Sequence, residues 1–289
     1  METRRRATLI GAGAVFLWGT LALLTTLTGD VPPFQMVAIT FGVAFLIALI
    51  KWIMRGESIP RHFRQPPRAW ALGTFGLFGY HFLIFTALKT APPVEANLVN
   101  YLWPLLIVFF SALLPGEKLR ARHIAGTLLG LAGVYLLVTG GTSIRPDAEH
   151  LPGYAAAFLA ALVWSSYSVA SSRLGHVPTD AVGAFCLLAG ILSAAAHLVF
   201  ETTVYPSFNE WLALILLGLG PAGGAFFLWD WGLKRGSVRA LGGIAYCAPL
   251  LSTTLLIAFG PGSLTLAVAI AAGAIVIGAA LAAGDAFGR

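Results

Sequence analysis

The chain has 289 residues, of which 58% are hydrophobic and 10% charged, with a mean hydropathy of +0.83; a soluble domain carries about 25% charged residues. That balance excludes a soluble enzyme or binding domain, and ten membrane spans leave almost no chain for a separate catalytic or receptor module. The net charge of +6 is accounted for by basic cytoplasmic loops and argues for no nucleic-acid partner.

METRRR is followed by an apolar run at 7–27, long enough to cross hydrocarbon and without a small-residue cleavage site, so it reads as a retained first span. Further spans are expected at 33–54, 68–90, 93–115, 120–140, 152–172, 178–200, 209–234, 237–259 and 264–284. None alternates with the two-residue period of a barrel strand, and backbone groups in lipid must be satisfied within their own segment. The expected fold is therefore an all-α integral membrane protein with ten transmembrane helices. With the N-terminus cytoplasmic, the outer connections hold only Lys89 and Arg145 of the 18 Lys and Arg, which places both termini inside.

Offset by 145 residues, Ala87–Leu106 lies over Gly232–Leu251 and matches Leu88, Lys89, Tyr101, Pro104, Leu105 and Leu106 with Leu233, Lys234, Tyr246, Pro249, Leu250 and Leu251. An offset of 146 also sets Trp18 on Trp164. Residues 1–289 then form a single membrane domain with five-helix repeats at 7–140 and 150–284. Five is odd, so the second repeat enters the membrane from the opposite side. Two inverted five-helix repeats around a central cavity follow, an arrangement that in transporters holds the substrate near midplane.

Repeats of this kind resemble the EamA repeats of the drug/metabolite transporter superfamily. The first carries LLPGEKLRARHIAGTLLGLAGVYLLV after a mid-helix Pro104, and with ATLIGAGAVFLWGT and NLVNYLWPLLIVFF the whole chain is similar to bacterial exporters of aromatic amino acids in that superfamily. The resemblance implies a non-enzymatic secondary transporter of the bacterial inner membrane, moving aromatic and other neutral amino acids. The second repeat departs from the pattern, because FGPGSLTLAV has no counterpart of Glu117.

Asn97, Asn100, Tyr101 and Pro104 fall at i, i+3, i+4 and i+7, one stripe of the fourth span. Polar groups at this depth are costly unless they meet each other or a wet cavity, so the stripe faces inward. The sixth span repeats the spacing with Trp164, Tyr167, Ser168 and Ser171; Tyr80 and His81 join from the third span, Tyr246 from the ninth and Trp18 from the first. These are the expected substrate-binding residues of a cavity walled by spans one, three, four, six, eight and nine, with rings for apolar parts of a solute and amides or hydroxyls for polar ones. Ordinary helix packing is the competing reading for each ring. Trp52, Trp70, Tyr154, Tyr205 and Trp211 lie near span ends and read as an interfacial belt. Pro104 and Pro249 each remove a helix hydrogen bond; hinges and simply tolerated prolines both fit.

His81 is a candidate for proton coupling, although a lone intramembrane His is commonly a hydrogen-bonded packing group. Asp230 pairs with Lys234 four residues on. The small-residue face Gly126, Gly130 and Gly133 predicts close helix packing, within one monomer rather than at a dimer contact. Cys186 and Cys247 lie in apolar runs and form neither a disulfide framework nor a metal site. No Walker motif is present, so no ATPase subunit and no cofactor are implied, and a small-molecule substrate and membrane lipid are the expected partners. Two other functions compete. A drug or metabolite exporter of the same superfamily commonly needs a mid-depth carboxylate, which is lacking, and a lipid enzyme needs paired His and acid, whereas His62, His123 and His176 are scattered among basic loops.

Overall fold

The computed structural model describes residues 2–143, 147–259 and 263–287, so Arg145 and Arg289 of the charge count lie outside the described residues. Ten helical spans cross it: α1 Thr3–Thr26, α2 Pro33–Met54, α3 Pro67–Thr90, α4 Pro93–Ser111, α5 Ala121–Thr139, α6 Ala148–Ser172, α7 Thr179–Phe200, α8 Phe208–Arg235, α9 Val238–Phe259 and α10 Leu266–Gly284. No strand occurs among the described residues. The bounds lie within a few residues of those expected, because hydropathy and proline mark them: α2, α3 and α4 each open on a proline in the first turn, where the missing N–H costs nothing. At most 56% of any span's most apolar stretch is buried, and side chains such as Met54 and Leu198 point outward almost fully exposed, as the lipid-facing surface of such a bundle must.

Contacts join α5 with α10, α2 with α7, α3 with α6, α1 with α8, α4 with both α6 and α9, and α9 with α1. Exchanging the first five spans for the second five leaves this set unchanged. In α5 and α10, Gly126 meets Ala282, Gly130 meets Gly278 and Gly133 meets Ile275; in α2 and α7, Ala48 meets Gly183 and Phe41 meets Gly190. Contacts that descend one helix while climbing the other make equivalent spans antiparallel. The small-residue face of α5 is thus spent inside the monomer, where van der Waals packing between close backbones drives association in lipid.

Five interruptions break the spans. The helix of α1 stops at Gly19 and resumes at Leu21. A π-helical turn occupies Phe75–Gly79 in α3. α4 breaks at Tyr101–Leu102 and α9 at Ala245–Tyr246, the same place in each repeat, just ahead of Pro104 and Pro249, whose rings cannot return an N–H to the carbonyl four residues back. The run Gly220–Gly223 separates the two halves of α8.

The end of the bundle that carries the N-terminus is basic and tied shut by charge. Glu117, on the α4–α5 connection, pairs with Arg4 at the start of α1 and at 3.1 Å with Arg239 at the start of α9. The Arg239 guanidinium also donates to the Lys118 carbonyl at 2.7 Å, and the Ser237 N–H donates to the Thr8 hydroxyl at 2.9 Å. Lys51 of α2 pairs with Asp180 at the start of α7. Deeper in, Asp230 holds Lys234 at 2.8 Å and accepts a hydrogen bond from the Thr179 hydroxyl at 2.7 Å; each charge is buried together with its partner, which buried ions require.

A Cβ at Gly278 would stand 2.5 Å from the Gly126 carbonyl, so Gly278→Leu should destabilise the bundle by about 1–3 kcal/mol, read as a lower melting temperature in detergent; an unchanged melt would remove the seam from the account. Glu117→Gln should loosen the basic end. A cysteine placed at the fully buried Leu241, with Cys186 and Cys247 replaced by alanine, should then react roughly five-fold faster with a maleimide added on that side, the shift expected from losing about 1 kcal/mol.

Candidate functional site

A hollow of about 220 Å³ lies among α1, α3, α4, α6, α8 and α9, smaller than the roughly 300–1,000 Å³ of a drug-sized pocket and suited to one small solute. Its lining reaches from mid-bundle toward the end opposite the basic one. Trp18, Leu21 and Ala22 come from the last third of α1, and Tyr80 and His81 from the middle of α3. Asn97, Asn100 and Tyr101 come from the first half of α4, Trp103 from just past its midpoint, and Trp164 from α6. Pro221, Ala222 and Phe226 of α8 and Ala248, Pro249 and Ser252 of α9 complete it.

Its floor is a cluster of indoles. Trp18 meets Trp103, Trp164 and Trp229 at centroid distances of 6.0, 5.8 and 5.0 Å, and Trp103 meets Trp164 and Trp229 at 6.4 and 6.1 Å. Most of these contacts are edge-to-face, the arrangement favoured by ring quadrupoles. Beneath the floor, toward the basic end, Ile107, Leu233 and Leu241 fill the bundle.

One wall is polar. The Asn100 amide donates to the Tyr80 hydroxyl at 3.2 Å. Its Oδ1 has no partner and is shielded from solvent, a state that costs on the order of 1–3 kcal/mol. His81 Nδ1 lies 2.7 Å from the Leu77 carbonyl in the π-helical turn. A carbonyl only accepts, so Nδ1 carries a proton, and in a neutral ring Nε2 is the acceptor. Phe41, Tyr80 and Phe85 stand around the imidazole at 5.2, 5.2 and 5.8 Å. The Asn97 amide donates to the Pro93 carbonyl at 2.9 Å.

Trp18, Tyr80, His81, Asn97, Asn100, Tyr101 and Trp164 are therefore brought to one hollow. Tyr167, Ser168 and Tyr246 are not, and their assignment to the lining is corrected. The stripe on α6 points inward, but only Trp164 lies at the depth of the hollow. One turn deeper, the Tyr167 ring packs where a side chain on Gly76 would stand, and Ser168 accepts a hydrogen bond from Trp229 Nε1 at 3.1 Å. Tyr246 is turned by the α9 break onto α5, against Gly130 and into a cluster with Val134 and Ile275, so that Ala248, Pro249 and Ser252 take the inward face.

Of the two hinge candidates, Pro249 lines the hollow and Pro104 does not. The break at Tyr101–Leu102 rephases α4 and brings Trp103 inward in place of Pro104. Trp103, Phe226 and the floor residue Trp229 were missed; the aromatic run FFLWDWG in the eighth span was the available signal for the last two. Among the described residues no group of His, Cys, Asp or Glu could hold a metal ion.

The EamA-like transporter family matches twice, over residues 5–139 and 151–284. A protein of Ancylobacter novellus named "Aromatic amino acid exporter YddG" is 52% identical over 261 residues, covering 89% of this chain and 90% of that one. Its namesake in Escherichia coli K12 is 26% identical, covering 88% of each. A solved crystal structure, 52% identical, superposes with a TM-score of 0.92 over 98% of both chains. Two family matches spanning nearly the whole length, on ten spans that enclose a solute-sized hollow, establish that the chain belongs to the EamA-like transporter family.

Proposed function

We propose that the chain is a secondary transporter exporting aromatic and other neutral amino acids from the cytoplasm by alternating access between its two halves. The observation that carries this reading is the hollow itself: a floor of indoles beside a polar wall, with no Lys, Arg, Asp or Glu in the lining. Rings receive an apolar side chain, and neutral amides and hydroxyls receive a zwitterion whose two charges nearly cancel. The name carried by the 52% identical relative supports the same cargo. Absence of any charge in the lining disfavours sugar phosphates, which need a cationic clamp, and cationic drugs, whose exporters commonly need a carboxylate.

The chain is assigned to the bacterial inner membrane with both termini cytoplasmic, because the basic residues gather at one end. The ion pairs of Glu117 then close the cytoplasmic side while the hollow reaches toward the outside, one of the two states that alternating access requires. Transport runs on solute or ion gradients, without a nucleotide-hydrolysing subunit or cofactor, and no residue is given a catalytic role.

Proteoliposomes holding the protein should accumulate labelled phenylalanine in counterflow. Trp164→Ala removes a floor indole and should raise the half-saturating concentration on the order of ten-fold or more, with Tyr101→Ala acting in the same direction. Equal rates for both variants and the parent, at matched reconstitution, would detach the hollow from transport.

A further inference from the structure

Away from the hollow, a crevice of about 480 Å³ opens in the side of the bundle, where α5 and α6 flank the outer face of α4. Leu98, Val99 and Leu102 of α4 and Leu131 of α5 make its apolar part; Glu95, Tyr135 and Tyr154 make its polar part. The crevice faces the membrane. Leu128 and Tyr135 on its α5 side and Leu151 and Phe158 on its α6 side are exposed, and none of its residues lines the hollow behind α4.

The crevice is graded by depth. α4 and α6 run inward from the end opposite the basic one and α5 runs back toward it, so Glu95, Tyr135 and Tyr154 lie near that end while Leu98, Leu102 and Leu131 reach toward mid-bundle. From Glu95 to Leu102 the descent is about 10 Å along the helix. That is the polarity of one lipid leaflet, a headgroup level followed by an acyl region.

Glu95 is the one charge in the crevice, and it is partly exposed. Its Oε2 accepts a hydrogen bond from the Tyr154 hydroxyl; Oε1 takes none, and no basic group among the described residues stands within ion-pair reach. A carboxylate on the rim of an apolar crevice is relieved by a cation, and its open lone pairs by N–H donors. A primary ammonium is both. Tyr135, whose hydroxyl reaches the Thr142 carbonyl at 3.5 Å, the limit of a hydrogen bond, is a donor left for a neighbouring phosphate. The other side cavity between α4 and α6, nearer the basic end, carries Arg173 and no acid, so the acid is particular to this crevice.

We infer that the crevice binds a phospholipid whose headgroup ends in a primary ammonium, with the ammonium on Glu95 and an acyl chain along Leu98, Val99, Leu102 and Leu131. The site is independent of what the hollow carries. Glu95 repels headgroups of net negative charge, and a trimethylammonium keeps the charge but has no N–H to give. A second copy of the chain is a poor occupant, because the seven lining residues fall short of the roughly 20–30 a side of a stable protein interface.

The full-length protein in detergent is offered dioleoylphosphatidylethanolamine, its N-methyl and N,N-dimethyl derivatives and dioleoylphosphatidylcholine in equal amounts, and bound lipid is counted by native mass spectrometry. Chains and charge stay constant along this series while N–H groups fall from three to none, so occupancy should fall stepwise, with the first lipid exceeding the last about ten-fold. Glu95→Gln, which removes the charge and keeps the shape, and Leu131→Trp, which fills the crevice, should each flatten the series, and Arg173→Gln should leave it intact. Melting curves identify the folded variants, and either of the first two suffices if the other fails to fold.

Equal occupancy across the series in the parent overturns the inference, as does a gradient that survives in a folded Glu95→Gln or Leu131→Trp variant or is lost in Arg173→Gln. Glu95-dependent binding of dodecylamine without retention of phosphatidylethanolamine would give the carboxylate to a free amine. Masses of paired chains that vanish with Leu131→Trp would give the crevice to a second copy. Either result replaces the lipid.

Discussion

Everything in this molecule answers to the cost of an unpaired backbone group in lipid. A helix that crosses hydrocarbon can interrupt its hydrogen bonding only where protein or water takes over. The five interruptions obey that limit, each beside residues of the hollow: Trp18 and Leu21 flank the one in α1, Tyr80 follows the π-helical turn, Asn100 and Trp103 flank the break in α4, Ala222 lies within that of α8, and Ala248 follows that of α9. By contrast α2, α5, α7 and α10, which take no part in the lining, run as regular helix through almost their whole length. Irregular backbone is confined to the centre, and the flanks are held by seams of small residues.

The features legible beforehand are those set by local chemistry. Hydropathy and proline gave the ten spans, and Gly126, Gly130 and Gly133 gave the close packing of α5, because a residue without a side chain admits a neighbouring backbone whatever lies farther off. Helical spacing gave the inward direction of Asn97, Asn100, Tyr101 and Trp164. Spacing measures angle about an axis, however, and says little of depth along it. Tyr167 and Ser168 share a stripe with Trp164 and still fall below the floor. Nor does spacing survive a break: once α4 interrupts at Tyr101–Leu102, Trp103 replaces Pro104 on the inward face, and the same device in α9 sends Tyr246 outward to α5.

The pairing of spans is symmetric under exchange of the halves, but the chemistry laid on it is not. Tyr101 and Tyr246 occupy equivalent positions, yet one borders the hollow and the other is buried at the flank. Glu117 gathers Arg4 and Arg239 at the basic end, while the corresponding stretch of the second repeat offers no acid. A duplicated scaffold has thus been given two different ends.

Beyond the hydrogen bond from Trp229 to Ser168, the indoles of the floor hold one another by dispersion and ring electrostatics. Such contacts are not particular about which ring supplies them. An aromatic solute of the proposed kind, settling on the floor, would offer its own edge and face in exchange for those an indole gave up on rotating away. On the proposed transport cycle a loaded protein would part the floor over a lower barrier than an empty one, and the kinetic signature would be trans-stimulation: solute waiting on the far side would hasten the passage of solute from the near side.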